Sequence, residues 1–186
     1  MKTAQMLALA MLLGSIPVAQ IASRFASRTG SKDLAEPKTV GGASLVAVVL
    51  LTVVKGFVPT YLAKISIDSY FVVLLAGTIA LLSSCFPYWL MFRPSGNGLA
   101  VSLGILIGLS PIAGVGVLGV WILAMLLFNR LSVAAMFAGF SAPIWLKVFN
   151  APMAYVWFAL LGCIYVILAH SSSLAKLLDG TEPRYR

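Results

Sequence analysis

The chain has 186 residues, of which 61% are hydrophobic and 10% charged, and its formal net charge is +8. An ordinary globular domain carries roughly 25% charged residues, so this chain cannot cover a water-facing surface and must set most of its side chains against lipid or against each other. Its Lys and Arg are scattered over the short gaps between apolar runs, which argues against a nucleic-acid-binding face and fits attraction to anionic lipid.

A helix needs roughly 20 apolar residues to cross a bilayer, and on that measure the chain predicts seven spans, near 3–22, 43–63, 69–86, 98–110, 112–128, 132–146 and 151–169. The first follows Lys2 and also fits a signal peptide. No clean small-x-small cleavage site follows it, however, and Pro17 stands where such a site would begin, so it is kept as a helix. It carries Gly14-Ser15-Ile16-Pro17, where Pro17 breaks the helical ladder and Gly14 admits a close neighbour.

The next gap, 23–42, contains Arg28-Thr29-Gly30-Ser31 and ends at Gly41-Gly42. Lys55 lies inside the second span. An ionisable group at that depth is a functional candidate; the other reading is a long stem snorkelling to the interface. After the third span comes Phe86-Pro87, and then Ser95-Gly96-Asn97-Gly98 immediately before a helix start. Glycine backbone at a helix N-terminus suits a phosphate, and a plain turn accounts for the same residues.

The run 98–128 is too long for one crossing, and Ser110-Pro111 divides it into a tight hairpin. The 132–146 span is short, to be met by a thinner bilayer, and five or six spans also fit. The tail, 170–186, opens with His170, the only histidine. Cys85 and Cys163 fall in or beside apolar spans, with no disulfide framework and no metal-ligand spacing; neither metal nor cofactor is expected.

With the N-terminus outside, nine of the thirteen Lys and Arg fall in 23–42, 87–97, 129–131 and 170–186, three fall on the other side, and Lys55 is intramembrane. That bias is the positive-inside pattern. The expectation is therefore an all-α, polytopic membrane protein with a cytoplasmic C-terminus, forming a single domain over 1–186 in which 170–186 is a cytoplasmic tail. The chemistry would gather where 23–42, 87–97 and the tail share one side. There are no paired intramembrane carboxylates, no Arg ladder and no clear inverted repeat to suggest a transporter.

These features together resemble the bacterial acyl-phosphate:glycerol-3-phosphate acyltransferase family, the PlsY type, nearly end to end. Gly14-Ser15-Ile16-Pro17 is similar to its opening signature, Arg28 with Gly30-Ser31 to its first loop, and Lys55-Gly56 to the Lys-Gly of its second helix. Phe86-Pro87 and Gly96-Asn97-Gly98-Leu99-Ala100 resemble its second loop, and Arg130 with Ser132 a family Arg/Ser pair. The most specific match is His170 followed by Leu177-Leu178-Asp179-Gly180-Thr181-Glu182-Pro183-Arg184.

The resemblance implies a multi-pass protein of the bacterial inner membrane. It would move a fatty acyl group, without a metal, from acyl phosphate to the 1-hydroxyl of glycerol 3-phosphate, giving lysophosphatidic acid for phospholipid synthesis. His170 and Glu182 would be catalytic; Ser15, Arg28, Ser31, Lys55, Gly96, Asn97, Gly98, Arg130 and Ser132 would bind the two phosphorylated substrates.

The chain also departs from the pattern. Lys32-Asp33-Leu34-Ala35-Glu36-Pro37 replaces the family's Ser-Gly-Asn run, Ser84 stands at a family His, Asn97 at a Lys, Ser171 at an Arg and Ser173 at an Asn. Each lost cation removes charge-assisted bonds worth about 1.5–3 kcal/mol. These losses leave a second reading open, a pseudoenzyme of the same fold acting as a membrane scaffold or regulatory partner.

Overall fold

A computed structural model describes residues 3–16, 18, 42–86 and 98–169. The described residues include seven helices: α1 Thr3–Gly14, α2 Gly42–Ser66, α3 Tyr70–Cys85, α4 Leu99–Leu109, α5 Pro111–Phe128, α6 Leu131–Val148 and α7 Met153–Ala169. No strand occurs among the described residues. The chain divides into two compact units, Met1–Ile105 and Leu106–Arg186.

Many small residues face the protein and many large ones face away. Ala10, Ala63, Ala76, Ala80, Ala113 and Ala134 are fully buried, whereas Phe71 is 74% and Leu126 78% exposed. In water such a surface would aggregate. In lipid no hydrophobic force drives helices together, so they associate by close backbone approach, which small residues permit.

In the first unit α1 lies against α2 and α3, and α2 lies against α3. A methyl group at Gly14 would overlap Ser83 Oγ and come within 2.7 Å of the Ala80 carbonyl oxygen. The α2–α4 crossing is reciprocal. A methyl at Gly56 would overlap the Val101 carbonyl oxygen and lie 3.0 Å from Ile105 N; one at Gly104 would overlap the Val53 carbonyl oxygen and lie 2.9 Å from Phe57 N.

The first helix stops earlier than the apolar run. α1 ends at Gly14 and Ser15 is a turn, so 3–22 is not one unbroken helix. Pro17 has no N–H to offer Leu13, and that carbonyl takes the Ile16 N–H instead, at 3.4 Å. α2 runs to Ser66, and Pro59 within it removes the N–H that would close the ladder onto the Lys55 carbonyl.

In the second unit α5 packs on α6 and α6 on α7. The break expected at Ser110-Pro111 is there: Ser110 is extended (φ −150°, ψ 103°) and Pro111 takes the first helical position, where its missing N–H costs nothing. A methyl at Gly114 would lie 2.9 Å from Ile107 Cα, a contact that only a sharp reversal allows. Asn129, left-handed at φ 52°, ends α5, and Arg130 in extended backbone starts α6. Asn is among the few residues that visit that region readily. α6 runs to Val148, which makes it longer than the 132–146 stretch suggests.

Candidate functional site

Lys55 sits partway along α2 with only 9% of its surface exposed. Its ammonium does not snorkel. Nζ donates to the Ile16 carbonyl oxygen at 2.6 Å and to Ser84 Oγ at 3.2 Å, which draws the end of α1, the middle of α2 and the last turn of α3 to one point. A charge at depth costs about 2.5–3.5 kcal/mol on insertion scales. Hydrogen bonds to a charged group return about 1.5–3 kcal/mol each, so two of them suffice to hold the ammonium in place.

The early end of α1 is what makes the first acceptor available. Ile16 lies beyond the helix, and its carbonyl also receives the Val18 N–H at 2.9 Å. Ser15, which precedes it, is fully buried, and its hydroxyl donates to the Leu12 carbonyl at 3.1 Å.

Ser84 was visible in the sequence only as the position of a missing histidine, and it was not expected to take part in the site. The signal that could have found it is a Ser83-Ser84 pair in an otherwise apolar span. The two serines differ in use: Ser83 Oγ donates to Ile79 and Ala80 carbonyls of its own helix, at 2.6 and 3.3 Å, while Ser84 Oγ accepts from Lys55.

Gly98 lies immediately before α4 with φ 65°, a left-handed backbone that glycine adopts without a Cβ penalty. Its carbonyl accepts the Ser102 N–H at 2.9 Å and the Ser102 hydroxyl at 3.0 Å. The residue thus opens a helix N-terminus, which fits a phosphate cradle and a plain turn alike; Gly96 and Asn97 lie outside the described residues. In the second unit Arg130 caps α6, its carbonyl accepting the Ala134 N–H at 3.1 Å, and Ser132 is half-buried in the first turn. Arg28, Ser31, His170 and Glu182 also fall outside the described residues.

Comparison with known proteins adds to this geometry. A family model described as glycerol-3-phosphate acyltransferase matches residues 4–180. A curated protein of that description from Gloeobacter violaceus is 32% identical over 187 residues, covering 93% of this chain and 90% of the relative. Two crystal structures of PlsY, an integral membrane glycerol 3-phosphate acyltransferase, are similar at a TM-score of 0.87 and 26% identity over 99% of this chain. One is its lysophosphatidic acid form, with 95% of that chain covered, and the other its glycerol 3-phosphate form, with 96% covered.

Proposed function

This chain belongs to the glycerol-3-phosphate acyltransferase family, an integral membrane transferase of that type, and we propose that it moves a fatty acyl group from acyl phosphate to the 1-hydroxyl of glycerol 3-phosphate. The hydroxyl oxygen attacks the acyl carbon, the bond from that carbon to the phosphate oxygen breaks, and inorganic phosphate leaves with the electron pair. The product is lysophosphatidic acid. The observation that carries the reading is the end-to-end likeness to a structure with glycerol 3-phosphate, at a TM-score of 0.87. The buried, doubly held Lys55 ammonium supports it as a cation set into an otherwise apolar wall.

In this reading Arg28, Lys55 and Arg130 supply positive charge to the two phosphates, and the Gly96-Asn97-Gly98 backbone supplies N–H donors at the start of α4. Ser31 and Ser132 add hydroxyls, and Ser15 forms the turn that presents the end of α1. His170, whose ordinary pKa lies near neutrality, takes the proton of the attacking hydroxyl, with Glu182 as its partner. The rest is positioning and electrostatic stabilisation of the developing charge. In this reading the site faces the cytoplasmic side of a bacterial inner membrane, an orientation that the Lys and Arg bias supports. The scaffold alternative gains no support from these likenesses.

The test supplies purified protein with acyl phosphate and glycerol 3-phosphate and measures lysophosphatidic acid. Product from the wild type that is lost in Lys55→Ala and His170→Ala is the expected result. No product above background from well-folded wild type overturns the proposal.

A further inference from the structure

A hydroxyl in an apolar helix ordinarily satisfies itself on the preceding turn. This chain follows that habit: Thr52, Thr60, Thr78, Ser83 and Ser102 each donate to the carbonyl four residues back, at 2.6 to 3.0 Å. Ser84 does otherwise. Its Oγ, half-buried in the last turn of α3, receives an N–H from Lys55 across 29 residues of sequence.

A lysine ammonium has three donors on a stem of four rotatable carbons, so one acceptor leaves it free to swing. Two acceptors on different segments of the chain fix its direction. The Ile16 carbonyl comes from the end of α1 and the Ser84 oxygen from the end of α3, and together they use two of the three N–H groups and orient the third.

We propose that Ser84 is a positioning residue for Lys55, its hydroxyl oxygen setting the angle at which the remaining N–H of the ammonium meets a substrate phosphate. This rests on the acyl-transfer reading above, in which Lys55 is a phosphate-binding cation. Ser84 does not touch substrate. It acts through Lys55, and its effect belongs in the capture of the phosphorylated substrate.

The experiment compares Ser84→Ala and Ser84→Thr with wild type in detergent, measuring KM for glycerol 3-phosphate, kcat and melting temperature. Loss of one charge-assisted hydrogen bond predicts a rise in KM of about 10- to 150-fold for Ser84→Ala, with kcat changed less and melting lowered by a few degrees as the Lys55 ammonium loses one of its two acceptors. Ser84→Thr, which keeps the oxygen, stays close to wild type. The same Ser84→Ala change is also made in Lys55→Met, with glycerol 3-phosphate binding followed by calorimetry. There it has no further effect, because the group it positions is gone. Unchanged KM in Ser84→Ala overturns the proposal. So does a Ser84→Thr variant as impaired as Ser84→Ala, or an equal loss of binding with and without Lys55. A wild type that makes no lysophosphatidic acid removes the underlying reading; an active wild type with an indifferent Ser84→Ala removes only the role of Ser84.

Discussion

Gly104→Ala is expected to cost this protein both stability and substrate affinity. The added methyl would overlap the Val53 carbonyl oxygen and stand 2.9 Å from both Phe57 N and Val53 C. All three are backbone atoms of α2 and none can rotate aside. Ordinary contact begins near 3.4 Å, and the carbonyl overlap is deeper than the other two contacts, so α4 and α2 must separate by roughly an ångström over more than a turn. Overpacking of this kind costs about 1–3 kcal/mol, which at roughly 2–4 °C per kcal/mol lowers the melting temperature by about 2–12 °C. Lys55 lies between Val53 and Phe57 on the displaced helix, so its bonds to Ile16 and Ser84 lengthen as well. The control is Gly119→Ala, where a methyl meets nothing within 4 Å. The assay is thermal unfolding in detergent by fluorescence-detected size exclusion, alongside KM for glycerol 3-phosphate. If Gly104→Ala melts and turns over like Gly119→Ala, the close α2–α4 crossing is refuted.

Two further substitutions test backbone conformation. Asn129→Val places a β-branched residue at φ 52° and should destabilise by about 1–2 kcal/mol, while Asn129→Gly should melt at or above the wild-type temperature; equal melting of the two variants would contradict the left-handed turn. Gly98→Ala, at φ 65°, should lose about 1 kcal/mol of stability and weaken binding of phosphorylated substrate, and an unchanged KM there would argue against a phosphate at the start of α4.

Helix positions could be read from the sequence because lipid imposes length: each apolar run bounded by polar or Gly/Pro residues had to be a helix, and Ser110-Pro111 had to interrupt one. Pro17 marked a break in the first span, but the apolar run continues past it, so the stop at Gly14 could not be read, and only the capture of the Ile16 carbonyl by Lys55 shows what the break is used for. That contact joins residues 39 positions apart, beyond any local pattern. Lys55 was recognisable as a candidate from its cost in a membrane, but whether its stem turned inward or outward depended on α1 and α3. Ser84 was read as a loss because a histidine was expected there; in the folded chain a hydroxyl oxygen serves as an acceptor. Arg28, Ser31, His170 and Glu182 lie outside the described residues and rest on resemblance to the family.

The tie between Lys55, Ile16 and Ser84 also constrains how the protein is made. A newly synthesised α2 enters the bilayer carrying an ammonium that lipid cannot solvate. Its first acceptor is already waiting at the end of α1, but its second arrives only when α3 has been translated. The ammonium therefore holds only one of its two acceptors until α3 has left the ribosome and settled beside α1 and α2.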